Sequence, residues 1–155
     1  MIEELREYFS EFDAEVIEFD PKKVKIDRRA RWKCMFGCSY YGKRFSCPPN
    51  VPEDYEEFIR SYRKGYAILL RFNNYFEDKR KAQEKLVEFE RSLLNRYPLA
   101  FVLFPGGCDL CYECSYPDCK RQEDVRPTLS SVGLTVEQFG IKVGDNRNVA
   151  ILLLE

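Results

Sequence analysis

The sequence predicts an α/β or α+β sandwich, in which helices pack on a small central sheet of about four strands and cysteine-rich loops lie at one end. Three observations predict it. Uniformly apolar segments of strand length alternate with amphipathic segments of helix length, hydrophobic residues make up 45% of the chain, and turn-forming residues surround the cysteines. A length of 155 residues predicts a single domain over residues 1–155.

The N-terminal part of the chain is expected to contain one helix and a pair of short strands. Apolar residues recur at helical spacing from Ile2 to Phe12, so this segment should lie against a core. Residues 14–19 and 23–27 alternate apolar and polar side chains around Pro21, which predicts short strands or an edge hairpin.

Helices and strands alternate in the rest of the chain. A helix should follow Pro52 and end at Gly65, because acidic residues occupy its first turn and basic residues its last. A longer helix is expected from about 78 to 97, and a short helix or turn pair from 129 to 139. Three continuous apolar runs predict buried strands, at residues 66–72, 99–104 and 149–155.

Composition excludes several classes of function. Lys and Arg number 25 against 26 Asp and Glu, so no excess charge attracts a membrane surface, and a nucleic-acid partner is not expected. The N-terminus lacks the features of a signal peptide and the apolar runs are too short to span a bilayer, which predicts a cytoplasmic protein. The chain has no histidine, so catalytic triads and metal sites that use histidine are excluded.

The strongest motif is a loop with four cysteines in twelve positions. Its first three are spaced C-x2-C-x2-C, as in bacterial ferredoxins, where one loop wraps a [4Fe-4S] cluster. A closed tetrahedral zinc site is the alternative, and unliganded thiols are a third interpretation. These residues, the four-cysteine set, are Cys108, Cys111, Cys114 and Cys119.

A second group, the three-cysteine set, consists of Cys34, Cys38 and Cys47 and is followed by Pro48 and Pro49. Three ligands leave one coordination position of a metal open, so this set is the better candidate for chemistry. The alternative is that one or two of these residues are ordinary buried cysteines. If the strands between the sets are parallel, the chain returns to the same end of the sheet, and the two sets form either two neighbouring centres or one.

A basic strip precedes the three-cysteine set. Residues 22–34 include seven basic residues and one acidic residue, together with the only tryptophan, Trp32. The strip is either a solvated strand edge or a site for a small anionic ligand, including an anionic cluster. The cations expected to attract an anion are Arg28, Arg29, Arg31, Lys33, Lys43 and Arg44.

The motifs together resemble a known family. The segment WKCMFGCSYYGKRFSCPP, the later GGCDLCYEC, Arg126-Pro127 and SSVGL occur in an order similar to that of domain-of-unknown-function family 2284, whose members are described as predicted metal-binding proteins. The resemblance runs from about Val24 to the end of the chain. It implies that all seven cysteines are metal ligands, and it names no reaction.

The first functional hypothesis is therefore an iron–sulfur protein that passes single electrons, or serves as an accessory to a redox enzyme, and docks a redox partner protein. It would hold one or two clusters. The alternative is an enzyme whose three-cysteine centre binds a small anionic or sulfur-containing substrate, and a further alternative is a zinc-stabilised interaction module. Whether the protein is an enzyme is left open at this stage.

Overall fold

The computed structural model describes residues 1–142 and 144–155, and its centre is an open, antiparallel four-stranded sheet. Together with four helices this is an α+β fold, which confirms the predicted class. The strands lie in the order β1-β2-β4-β3. They are β1 (Glu15–Phe19), β2 (Lys64–Arg71), β3 (Phe101–Leu103) and β4 (Arg147–Leu154).

Helices cover both faces of the sheet. The α-helices are α1 (Ile2–Tyr8), α2 (Arg29–Met35), α3 (Tyr55–Arg60) and α4 (Tyr75–Leu93). Short 3-10 helices span Ser10–Phe12, Ser130–Val132 and Val136–Phe139. Helices α1 and α4 pack on one face, while α3 and the last two 3-10 helices pack on the other. No helix among the described residues has both the length and the apolar character to cross a membrane.

The two central strands are continuously apolar over residues 66–70 and 149–154, because both of their faces are buried there. In β2, Ile68 and Leu70 point toward α4, whereas Ala67 and Leu69 point toward α3. Successive side chains of a strand alternate between faces, so a strand between two helical layers needs apolar residues at every position. This is why continuous apolar runs predicted β2 and β4 correctly.

The connection from β2 through α4 to β3 brings the chain back to one end of the sheet. Both β2 and β3 pair antiparallel with β4, which lies between them, so β2 and β3 run in the same direction. The chain therefore leaves β2 and β3 at the same end, where α4 begins and the four-cysteine set follows. The two cysteine sets were expected to converge if the strands between them were parallel. Strands β2 and β3 do run in the same direction, although β4 lies between them.

Three local predictions were wrong. Residues 23–27 form no strand; their backbone is satisfied by a turn at Asp20 and by the side-chain amide of Gln138, which bonds both backbone groups of Lys25. The basic strip contains α2 where a strand edge was considered. Gly65 does not end α3 but lies inside β2, where the ring of Phe19 crosses it so closely that any side chain would overlap the ring.

Candidate metal centres

The three-cysteine set gathers thiols from a helix and from the loop that follows it. Cys34 lies on α2 and is half-buried, Cys38 is exposed, and Cys47 is only 4% exposed. Burial raises the pKa of Cys34, and the neighbouring thiol of Cys38 raises it further. Burial also raises the pKa of Cys47 to about 11, with a smaller contribution from the other two thiols. The three sulfurs are therefore electrostatic neighbours.

Serine hydroxyls contact two of these three sulfurs. The side chain of Ser130 hydrogen-bonds Cys34, and Ser46 Oγ lies 3.2 Å from Cys47 Sγ. Each of these hydrogen bonds lowers the pKa of its thiol, against the larger effect of burial. A donor aimed at sulfur stabilises the thiolate, which is the form that binds metal.

The four-cysteine set lies in the loop after β3 and is more accessible. Cys114 is exposed, while Cys108, Cys111 and Cys119 are half-buried. Burial raises the pKa of Cys108 to about 11; the thiols of Cys114 and Cys119 also raise it, and a hydrogen bond from the backbone of Leu110 lowers it. Here the donor to sulfur comes from the backbone instead of a hydroxyl.

The two sets meet at the start of the four-cysteine loop. Ser46, next to Cys47, accepts a hydrogen bond from the backbone N–H of Cys108 at 2.8 Å. Arg44 Nε donates to the carbonyl of Cys108 at 3.0 Å. The ring of Tyr40 lies directly on Gly107, where no side chain would fit. The predicted return of the chain thus places the three-cysteine segment against the four-cysteine loop.

A buried ion pair closes this contact. Lys79 Nζ lies 2.8 Å from the Asp109 carboxylate, and the Lys79 side chain is only 3% exposed. The Tyr40 hydroxyl donates to the same carboxylate at 2.7 Å, and the pKa of this phenol is raised by burial and by its acidic partner. Sequence analysis missed this pair. Its signal was a lysine within the apolar stripe of α4, three residues before Ala82 and seven before Leu86.

Side chains of helix α4 also bind the backbone of the four-cysteine loop. The amide of Gln83 donates to the carbonyl of Gly107 at 2.9 Å and accepts from the N–H of Asp109 at 2.8 Å. Arg80 Nε donates to the carbonyl of Asp109 at 3.0 Å. Because Gln83 is fully buried, these bonds fix the entry of the four-cysteine loop relative to the helix.

A cavity of about 270 Å³ opens beside the three-cysteine set. Its lining includes the exposed Cys38, the aromatic rings of Tyr40, Tyr75 and Phe76, and the buried Lys79. The ammonium of Lys79 lies 5.0 Å from the centre of the Tyr40 ring and 5.2 Å from that of Tyr75. A small molecule in this cavity would therefore meet aromatic faces, a cation and one sulfur.

The cations that were expected to attract an anion have different roles. Arg31 is buried, donates to the carbonyl of Ser131 at 2.7 Å and stacks on Tyr55. Arg29 pairs with Asp27 through a 2.6 Å contact. The exposed members of the group are Arg28, Arg29, Lys33 and Lys43. The strip is thus partly structural and partly a basic surface.

Comparison with known families identifies the chain. A family model described as "Predicted metal-binding protein (DUF2284)" matches residues 15–150, which is most of the sequence. The chain belongs to this family. Membership in DUF2284 predicts that the protein binds metal and assigns no function. No curated protein and no solved structure matches the chain.

One motif behind the DUF2284 resemblance, SSVGL, holds the three-cysteine set in place. Ser130 contacts Cys34, and the carbonyl of Ser131 accepts from the guanidinium of Arg31. Gly133 has a φ of +79°, a left-handed conformation that favours glycine. An added Cβ there would lie 2.8 Å from Ile26 Cγ2. The motif is thus a support for α2 and its cysteine.

The donor chemistry of both sets fits a thiophilic metal, although the sulfurs are not drawn together. All seven cysteines are free thiols. Across residues 1–142 and 144–155, the Cys, Asp and Glu side chains as arranged form no group of three or more that could hold a metal ion. Thiolates are the ligands that zinc and iron–sulfur clusters take. Metal binding would therefore require local movement of the loops, as when it is coupled to folding.

Proposed function

We propose that this chain is an iron–sulfur protein that transfers electrons or serves a redox enzyme as an accessory. The observation that supports the proposal best is the meeting of the two cysteine sets, seven free thiols in all, at one end of the sheet. The four-cysteine set would hold a [4Fe-4S] cluster, and the three-cysteine set would hold a second centre. Such a cluster supplies reversible one-electron chemistry when bound.

Two features favour iron–sulfur over structural zinc. The triple C-x2-C-x2-C spacing is that of a cluster-binding loop, whereas zinc sites usually take two separated C-x2-C pairs. In addition, the sheet has extensive apolar cores on both faces, so the fold does not need a metal to supply its stability.

The residues around the thiols are suited to an anionic centre. Clusters held by thiolates carry negative charge, and at the junction of the two sets the two cations Lys79 and Arg44 face one carboxylate, Asp109, which leaves a net positive charge there. Ser46, Ser130 and the Leu110 amide donate to sulfur, and such hydrogen bonds are one determinant of cluster potential. An odd number of cysteines crowded at short spacings also suits a reducing compartment, which supports a cytoplasmic location.

A redox partner protein would dock on α2. Trp32 and Phe36 are 64% and 75% exposed, and their rings stack with centres 5.6 Å apart. The exposed Arg28 and Lys33 flank them, so the partner we propose has an acidic surface. Because Cys34 lies on the same helix, a partner bound there would be close to the three-cysteine set.

The cavity beside Cys38 favours a second candidate function, an enzyme acting on a small anionic or sulfur-containing substrate. Three cysteines leave a coordination position open, and Cys38 lines the cavity. The test is a titration of reconstituted wild type and Cys38→Ser with a small thiol and with a small carboxylate. A spectral change only in wild type supports this function; the same response in both proteins contradicts it.

The proposal of an iron–sulfur protein is tested by composition and spectroscopy. Protein purified and kept without oxygen, to avoid oxidative loss of exposed clusters, should contain iron and acid-labile sulfide and show broad visible absorption. Partial bleaching and an electron paramagnetic resonance signal should follow reduction. Colourless protein with stoichiometric zinc and no sulfide would contradict the proposal and support the zinc-stabilised interaction module.

A further inference from the structure

Ser46 occupies the point where three segments of the chain meet. It is fully buried, and its hydroxyl lies between the sulfur of Cys47, at 3.2 Å, and the backbone N–H of Cys108, at 2.8 Å. Its own carbonyl accepts a hydrogen bond from the N–H of Thr128 at 3.0 Å. The serine therefore contacts both cysteine sets, and its backbone is fixed by a third segment.

The direction of these hydrogen bonds follows from what each group can do. A backbone N–H only donates, so the bond from Cys108 uses a lone pair of the Ser46 hydroxyl. Between Ser46 Oγ and Cys47 Sγ either atom can donate while Cys47 is a thiol; a metal-bound thiolate has no proton, so it can only accept the proton of the Ser46 hydroxyl. The result is a directed chain from the Cys108 amide through Ser46 to the Cys47 sulfur.

We propose that Ser46 couples the two cysteine sets, so that metal bound at one set raises the metal affinity of the other. Converting Cys47 to a metal-bound thiolate strengthens the hydrogen bond it accepts and holds the Ser46 hydroxyl in the orientation that accepts from Cys108. Hydrogen bonds in such a chain polarise and reinforce one another. Gln83 and Arg44 already hold the backbone around Cys108, and the strengthened bond to Ser46 fixes this first ligand more tightly before its own metal arrives.

The coupling must be reciprocal, because linkage requires each site to change the other's affinity by the same factor. A factor of about fivefold is expected, at the lower end of measured couplings between sites, since a single hydrogen-bonded chain carries it. This inference rests on metal binding by both sets, which is part of the proposed function, and not on the identity of the metal as iron–sulfur.

Cobalt(II) titration of metal-free protein without oxygen provides the test, because thiolate-to-cobalt absorption reports binding directly. Cys38→Ser leaves the four-cysteine set to bind alone, and Cys111→Ser leaves the three-cysteine set. The affinity of each set alone is measured in these two variants. The wild-type protein should bind its second cobalt ion about fivefold more tightly than those two affinities predict. The same three proteins in a Ser46→Ala background should show no such excess.

Ser92→Ala is the control, because that hydroxyl donates to the carbonyl of Phe89 within α4 and contacts neither cysteine set. It should keep the excess affinity, as should Ser46→Thr, which retains a hydroxyl. An equal excess in Ser46→Ala, no excess in wild type, or no cobalt bound by one set overturns the inference. Coupled cobalt binding by a protein that holds neither iron nor sulfide would sustain it while contradicting the iron–sulfur proposal.

Discussion

The two cysteine sets differ in how the fold builds them. The four-cysteine set is one continuous loop with an exposed thiol, and the donor to its first sulfur is a backbone amide. The three-cysteine set is assembled from a helix and a loop, and side chains distant in sequence, Ser130 and Lys79, surround it. The first set depends on local spacing, while the second depends on tertiary structure. Substitutions of the residues at the contact between the two sets should therefore show how far each set depends on tertiary structure.

The largest expected effect comes from breaking the ion pair that joins α4 to the four-cysteine loop, at the carboxylate that Tyr40 of the three-cysteine segment also contacts. Lys79→Ala leaves the Asp109 carboxylate buried without the nearer of its two cations, the other being Arg44 at 3.9 Å, which should lower the free energy of unfolding by about 3 kcal/mol. Lys81→Ala, an exposed lysine on the same helix, is the control and should change it by less than about 0.5 kcal/mol. Urea unfolding measures both. Equal stability of the two variants would show that the pair does not hold the contact.

A smaller loss of stability is expected from a steric clash between the three-cysteine segment and the four-cysteine loop. Gly107→Ala places a methyl group in the ring of Tyr40, so either the ring or the four-cysteine loop must shift. We expect a loss of about 1–3 kcal/mol in the free energy of unfolding, as for other overpacked sites. In a Tyr40→Ala background the same substitution should cost almost nothing. A full additive loss in the double variant would contradict this account of the contact.

One thiol in each set has a raised pKa, and this predicts a pH dependence for the stability of the metal-free protein. Cys47 and Cys108 each have a pKa raised from about 9 to about 11, so above pH 9 the unfolded chain releases protons that the folded chain retains. Stability is full below pH 9 and falls as the pH rises toward 11. The slope should approach about 1.4 kcal/mol per pH unit for each thiol.

Thermal unfolding between pH 9 and 10 is the measurement, since it precedes most tyrosine ionisation. Cys47→Ala and Cys108→Ala should each reduce the slope by one thiol's share, and Cys34, whose pKa is also raised, contributes to the remainder. A slope unchanged by both substitutions would assign the pH dependence to other groups.

The smallest expected effect is a difference in thiol reactivity within each set. Iodoacetamide should modify Cys38 and Cys114, which are exposed, about tenfold faster or more than the buried Cys47 and the half-buried Cys108, both of which have raised pKa values. Mass spectrometry of timed samples of metal-free protein gives the order. Faster modification of Cys47 than of Cys38 would show that the three-cysteine loop opens readily.

Part of this structure could be predicted from local sequence, and the two sets show which part. Continuous apolar runs identified β2 and β4, and the C-x2-C-x2-C spacing identified the four-cysteine set, because both patterns are contained in a few adjacent residues. The helix around Cys34 was missed because three of its seven residues are basic and it has no apolar stripe, and its support comes from Ser130 and Ser131, far along the chain.

The contact between the sets was the least predictable feature. The hydrogen bond from Cys108 to Ser46 joins residues 62 positions apart, and no pattern within either segment encodes it. This contact requires β2 and β3 to run in the same direction. They do so because β4, the last strand of the chain, lies between them and pairs antiparallel with both. Lys79 gave only a weak local signal, a charge in an apolar stripe.

The most direct test of the central claim, that two neighbouring cysteine sets form two iron–sulfur centres on one metal-independent fold, is the iron and sulfide content of three proteins purified without oxygen. Wild type should contain more of both than either Cys38→Ser or Cys111→Ser. Each variant should retain the other centre and a folded sheet by circular dichroism. Loss of all iron in either single variant, or unfolding of Cys111→Ser, would contradict the claim.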